Sequence, residues 1–212
     1  MHYKIIPVTP FQQNCTLFWC DKSRQAAIID PGGDTRQLVN QITDLELLPC
    51  QILLTHGHID HAGGANELAQ MLEIPIVGPH REDAFLLDNM DQQAAMFGFG
   101  KGTACKPDQW LEQGDEVVVG EERLEVYHCP GHTPGHLVFF HRASQLAQVG
   151  DVLFNGSIGR TDFPRGDYAT LIHSIRNRLW PLGDEVRFIP GHGPESTFGE
   201  ERRSNPFVCD GC

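Results

Sequence analysis

Ile52-Leu53-Leu54-Thr55-His56-Gly57-His58-Ile59-Asp60-His61-Ala62-Gly63-Gly64 is the stretch on which the fold turns. It opens as a short apolar run of strand type. It then delivers four side chains able to ligate a metal, His56, His58, Asp60 and His61, within six residues. Imidazole nitrogens and a carboxylate oxygen suit zinc, iron or manganese. Gly57 lets the backbone turn between the first two histidines. Gly63-Gly64 relax the chain before Ala65 to Leu72, whose spacing predicts a helix.

The same placement recurs downstream. Leu124 to Tyr127 runs through Cys129-Pro130-Gly131 into His132, Leu146 to Val149 runs through Gly150 into Asp151, and Val186 to Ile189 runs through Pro190-Gly191 into His192. Each is an apolar strand with an ionisable residue just past its end. In α/β sheets, ligands gather outside the carboxyl ends of strands. Four such strands bring His56, His58, Asp60, His61, His132, Asp151 and His192 to one rim. Seven ligands exceed one tetrahedral site and suit two divalent metals, which in hydrolytic centres lie roughly 3.5–4 Å apart. Asp151 is the natural bridge, because each carboxylate oxygen can bind one ion.

The flanking sequence reads as strands followed by alternating strands and helices. Ile5 to Val8, Cys15 to Cys20 and Ala26 to Ile29 are β-rich runs, predicted as consecutive antiparallel strands. Leu38, Val39, Ile42 and Leu45 fall at helical spacing, with Asp34 or Thr35 as the N-cap. Ile74 to Val77 is strand-like, and His80 to Leu87 is predicted as a short helix. Over 88–108 the periodicity vanishes, which predicts a long functional or surface loop. Strands resume at Glu116 to Val119, Leu124 to Tyr127, Leu137 to Phe140 and Leu146 to Val149. A helix over Tyr168 to Leu179 and a strand at Val186 to Ile189 complete an α/β pattern of mixed sheets flanked by helices.

The 212 residues, 40% hydrophobic and 21% charged, fit one globular domain over 1–212. Sixteen basic against 28 acidic residues give a net charge of −12. That balance excludes a nucleic-acid partner, which needs a basic footprint. No run reaches the ~18 apolar residues of a membrane span, and the start, Met1 to Pro7, is too short in apolar residues for a signal peptide. A cytoplasmic protein, monomeric or weakly oligomeric, is the expectation. Seven scattered cysteines fit reduced thiols rather than a disulfide framework. The Cys209-Asp210-Gly211-Cys212 pair alone has a metal or redox spacing, and the tail over 206–212 is expected to be unordered.

These motifs together resemble the metallo-β-lactamase superfamily. Its His-x-His-x-Asp-His signature stands here as His56-Gly57-His58-Ile59-Asp60-His61, followed in order by Gly131-His132-Thr133, Gly150-Asp151 and Pro190-Gly191-His192. The resemblance implies an αββα sandwich, two mixed sheets flanked by helices. It implies that His56, His58 and His132 hold one metal, Asp60, His61 and His192 the other, and that Asp151 bridges. Within the superfamily, Pro130 to His136, Gly159-Arg160-Thr161-Asp162-Phe163 and Gly191-His192-Gly193-Pro194 are similar to a short bacterial form of the glyoxalase II branch. Arg160 matches a basic substrate-contacting position of that branch. Asp162 stands where an aromatic residue is expected, and only 20 residues follow His192, so the expectation is a chain without the helical C-terminal domain of longer relatives.

The resemblance implies a metallohydrolase acting on a small-molecule glutathione thioester, S-lactoylglutathione, to give D-lactate and glutathione. A metal-bound hydroxide would attack the thioester carbonyl, with Asp60 orienting it and two divalent ions, zinc with iron or manganese as alternatives, as cofactors. Arg160 and Arg165 are the candidates for a substrate carboxylate. A mononuclear-iron persulfide dioxygenase of the same superfamily shares the 159–163 run and is the competing reading. A non-catalytic metal-binding protein is the third. His136 is read as supporting the site and Cys129 as a packed thiol. His2, His80, His128, His141 and His173 lie outside the ligand motifs.

Overall fold

The computed structural model describes residues 1–211. In chain order its elements are β1 (His2–Val8), β2 (Gln13–Trp19), β3 (Gln25–Ile29), α1 (Thr35–Asp44), β4 (Leu48–Leu53), α2 (Ile59–Ala62), α3 (Ala65–Leu72), β5 (Ile76–Val77), α4 (Ala84–Asp88) and α5 (Met90–Phe97). Then follow β6 (Glu116–Val119), β7 (Glu122–His128), β8 (Leu137–His141), β9 (Leu146–Gly150), β10 (Leu153–Phe154), β11 (Ser157–Ile158), α6 (Tyr168–Ser174), β12 (Arg187–Pro190), β13 (Ser196–Thr197) and α7 (Phe198–Ser204). No helix among the described residues is long and apolar enough to cross a membrane.

Two mixed sheets carry the structure. The first has the order β1-β2-β3-β4-β5, with β1, β2 and β3 antiparallel and β3, β4 and β5 parallel. The second runs β13-β12-β9-β8-β7-β6, with β9 and β12 parallel and the other neighbours antiparallel. Side chains alternate across a strand, and here both faces are buried. Leu137 and Phe139 of β8 join Ala27, Ile29 and Leu53 in the layer between the sheets, whereas Val138 and Phe140 point to the outer layer with Phe188, Leu171 and Phe198. On the outer face of the first sheet, Ile28 and Ile52 pack with Leu38 and Ile42 of α1 and Leu68 of α3. The result is helices, sheet, sheet, helices, the αββα order. Double burial is why these strands read as near-continuous apolar runs.

Helix α3 spans the residues that the spacing predicts. Asp34 sits at the α1 N-cap position, but with φ 50° its side chain makes no capping bond. Its Oδ2 accepts the Thr9 N–H at 2.8 Å, tying the β1–β2 turn to the helix start. The expected long loop over 88–108 is corrected: residues 90–97 form α5. Its buried face is Met90, Gln93 and Ala94, so a polar amide interrupts the apolar stripe from which a helix is recognised.

The segment after the last strand tip is helical as well. Thr197 caps α7 by accepting the Glu200 N–H, and buried Glu201 accepts from Gly156 N, Ser196 Oγ and Asn205 Nδ2. The expectation of an unordered tail is corrected for 206–211. Val208 is fully buried against the second sheet's outer layer, and the Asp210 N–H donates to Arg202 O. Cys15, Cys20, Cys50, Cys105 and Cys129 are free thiols, as expected, whereas Cys209 is disulfide-bonded. Cys212, the other half of the terminal pair, lies outside the described residues.

Phe188 is fully buried and stacks on Phe198 with centroids 5.6 Å apart. Phe188→Ala is expected to lower stability by about 3–5 kcal/mol through lost burial and the cavity left behind. Urea unfolding checks this, and a loss under about 1 kcal/mol would contradict the packing described.

Candidate metal centre

The carboxyl ends of β4, β7, β9 and β12 open onto one edge where the sheets face each other. Backbone bonds hold the four loops there. Leu137 N–H donates to Thr55 O, Gly191 N–H to Gly150 O, and Asn14 N–H to Gly191 O. The Asn14 amide also donates to Pro190 O and Gly193 O, so β2 of the first sheet grips the loop that carries His192. Gly32 is required on the neighbouring loop, since a Cβ there would lie 1.5 Å from Asp60 O.

All seven residues singled out by sequence meet at this edge. His56 Nε2 and His132 Nε2 each lie 3.0 Å from His58 Nδ1. His56, His58 and His132 form one group whose ligand atoms fall within 4.8 Å of one another, and Asp60, His61 and His192 form another. Asp151 stands between them. Its Oδ1 is 3.3 Å from His61 Nε2, and its Oδ2 is 3.6 Å from His132 Nε2 and 3.8 Å from His192 Nε2.

The outer nitrogens explain this convergence. His132 Nδ1–H donates to Arg160 O at 2.7 Å, and His192 Nδ1–H to Phe11 O at 3.2 Å. His61 Nδ1 bonds Asp30 Oδ2 at 2.9 Å, and His56 Nδ1 bonds Thr55 Oγ1 at 3.0 Å. With Nδ1 protonated and engaged, each Nε2 presents a lone pair inward, the tautomer a metal requires.

Electrostatics favours the neutral imidazole at His56, His58 and His132 and the charged one at His61. Burial, reinforced by the neighbouring imidazoles, pushes His56 well down, and it pushes His58 to about 3. Burial also lowers His132. Burial alone would raise the Asp60 and Asp151 carboxyls, but His61 and the other facing imidazoles hold both below the usual range. Burial would lower His61 too, yet Asp151 and Asp60 hold it above the ordinary imidazole value.

The donor set fits a cation. His61 Nε2 and Asp151 Oδ1 are both buried and have no hydrogen-bond partner, although they are only 3.3 Å apart. With the imidazole neutral, the two converging lone pairs repel, and a dication between them inverts that repulsion. A Cβ on Gly191 would lie 2.0 Å from Asp151 Oδ1 and 2.6 Å from His61 Cε1, so only glycine leaves room beside this carboxylate.

Three supporting residues lie outside the sequence motifs. Asp30, fully buried, accepts from Thr55 N, Thr55 Oγ1 and His61 Nδ1. Its signal is an acid just past an apolar strand, the rule that found Asp151. Asp83 accepts from Gly57 N, Gly135 N and Thr133 Oγ1, linking the loops before His58 and after His132. Burial raises its carboxyl to about 6 against the pull of those three donors. Gln93 straddles His58, accepting the Ile59 N–H and donating to Gly57 O and Leu86 O. Neither Asp83 nor Gln93 carries a sequence signal, because each reaches the site from a separate element. His136 stacks on His56 at 4.6 Å and accepts the Asp151 N–H.

A cavity of about 540 Å³ opens above the centre, lined by His58, Asp60, His132, Asp151 and His192 on its floor and by Phe11, Phe97, Phe154 and Phe163 on its walls. Arg160 also lines it, over the Phe163 ring at 4.4 Å, but its guanidinium pairs with both oxygens of Asp162 at 2.9 and 2.7 Å. Arg165 lies over Phe85 instead.

A family model described as the metallo-beta-lactamase superfamily matches residues 8–192. The chain is 49% identical over 209 residues, 98% of each chain, to the hydroxyacylglutathione hydrolase GloC of Haemophilus influenzae. The crystal structure of the BLEG-1 B3 metallo-beta-lactamase superposes with a TM-score of 0.91 at 34% identity, covering 98% of this chain and 99% of that one. That of TTHA1623 in a di-iron-bound form superposes with a TM-score of 0.87 at 35% identity, covering 97% and 100%.

Asp83→Ala strands two buried N–H groups and the Thr133 hydroxyl. It is expected to cost about 3 kcal/mol or more, whereas exposed Asp88→Ala changes stability by less than about 0.5 kcal/mol. Thermal unfolding of the pair checks this, and equal melting points would refute the linking role of Asp83.

Proposed function

The chain belongs to the metallo-β-lactamase superfamily, and on that premise we propose that it hydrolyses glutathione thioesters, S-lactoylglutathione to D-lactate and glutathione among them. The observation that carries the reading is the pair of ligand groups on either side of Asp151 at the floor of one cavity. His56, His58 and His132 would hold one divalent ion, Asp60, His61 and His192 a second, and Asp151 both. Zinc is the proposed metal, with iron and manganese compatible with the same donors. Such ions, when bound, lower the pKa of water towards ~7 and polarise a carbonyl oxygen. The 49% identical hydroxyacylglutathione hydrolase supports the thioester as substrate.

The chain's own groups do the rest. Asp60 lines the cavity and orients the attacking water through its carboxylate. The four phenyl rings keep bulk water from the thioester, which strengthens every polar interaction within. Thiolate is a good leaving group, so no proton donor is needed at the sulfur. Among the described residues, Arg160 is the one guanidinium or ammonium side chain lining the cavity, and it binds a glutathione carboxylate by exchanging Asp162 for it. The free thiols in the core support a cytoplasmic setting.

Purified protein is expected to carry two divalent ions per chain by elemental analysis and to turn over S-lactoylglutathione. One iron per chain with sulfur oxygenation would replace the hydrolase with a dioxygenase. His132→Ala is expected to lose metal and at least about a hundredfold in kcat. Full metal content with full turnover in that variant would overturn the ligand assignment. Arg160→Ala is expected to raise KM for the glutathione thioester and leave kcat near the native value, as loss of uniform binding does; a fall in kcat alone would refute that role.

A further inference from the structure

Beside the main cavity lies a second, of about 190 Å³, which shares His58, Gln93, Phe97 and Phe163 with it. Phe85, Leu86, Met96 and Pro164 complete its apolar wall. Among the described residues, no carboxylate, ammonium or guanidinium group lines it. Three amides, Asn89, Gln92 and Gln93, also line it, and two of them are already engaged: Gln93 bonds Ile59 N, Gly57 O and Leu86 O, and Asn89 Nδ2 donates to Phe85 O. Arg160, by contrast, lies in the main cavity and not in this one.

We infer that this side cavity is an acyl-group subsite and that the enzyme prefers glutathione thioesters whose acyl group is apolar and larger than lactoyl. The inference rests on the hydrolase reading above and adds the direction in which the substrate lies. A glutathione thioester has one end rich in charge and one that need not be. Among the described residues lining the two cavities, the charged peptide end finds a guanidinium only at Arg160. The acyl end alone is compatible with a groove of phenyl, thioether and leucine side chains. The shared wall of His58 and Phe163 sets the groove against the metal centre, since the Phe163 ring stands edge-on to His58 at 5.0 Å and to His132 at 6.0 Å. A carbonyl at the centre therefore directs its acyl substituent into the groove. An apolar cavity of about 150 Å³ accepts benzene, so 190 Å³ accommodates an alkyl chain of several carbons or a phenyl ring.

The test is a series of S-acyl glutathiones, acetyl, propionyl, butyryl, phenylacetyl and D-lactoyl, with the metal-loaded enzyme. kcat/KM is expected to rise about fourfold for each methylene from acetyl to butyryl, with phenylacetyl above lactoyl. Phe97→Ala, which opens the shared wall, is expected to compress the butyryl-to-acetyl ratio by about threefold or more. A flat series, or one led by lactoyl, overturns the subsite while leaving thioester hydrolysis standing. A Phe97→Ala ratio equal to the native one also overturns it. Hydrolysis of no member overturns the hydrolase reading, and the subsite with it.

Discussion

Imidazole lone pairs and carboxylates repel one another when brought together in a dry interior, and the structure around the seven-residue cluster exists to hold that repulsion in place. Four of the five inward imidazoles are fixed by what the ring does on the far side: Asp30 for His61, Thr55 for His56, the Arg160 carbonyl for His132 and the Phe11 carbonyl for His192. Orientation by outer partners of this kind sets tautomer and ring direction together. The loops are then locked to each other rather than only to their own strands. Asp83 and Gln93 satisfy the backbone on both sides of His58, and Asn14 does the same beside His192.

This architecture places rigid sheets beneath mobile chemistry. The central strands of both sheets are buried on both faces, so their ends are set by packing in two layers at once. Slippage by one residue would exchange the two faces of a strand such as β8, moving Phe139 and Phe140 into each other's layers. The ligands inherit that precision because they stand one to eight residues beyond their strands. The cavity walls come from elsewhere, from the β1–β2 turn, α5, β10 and the segment after β11, and they are mainly aromatic.

The net charge of −12 therefore says little about the substrate. Acidic residues at the centre face imidazoles, and Asp162 is already paired with the one guanidinium of the cavity. What recognises the ligand is set by a handful of rings and by how the two cavities divide charged from uncharged surface.

The ligand candidates were legible in the sequence because the relevant signal is local. An apolar run followed within a few residues by histidine or aspartate announces a strand and its tip, and four repeats of that pattern point to one edge. The strands and α3 were legible for the same reason of short-range periodicity. Helix α5 was not, because Gln93 on its buried face breaks the apolar stripe, and that amide has meaning only once the His58 loop lies against it. Asp83 and the ties of α7 escaped notice likewise, since their partners lie tens of residues away, whereas Asp30 obeys the strand-end rule that found Asp151. By itself the sequence determined which side chains stand at the strand ends, through periods of two and the turns that follow. Only the tertiary structure decided how they divide around Asp151, which groups hold them and what shape lies above them, because those are contacts between elements whose separation along the chain carries no pattern.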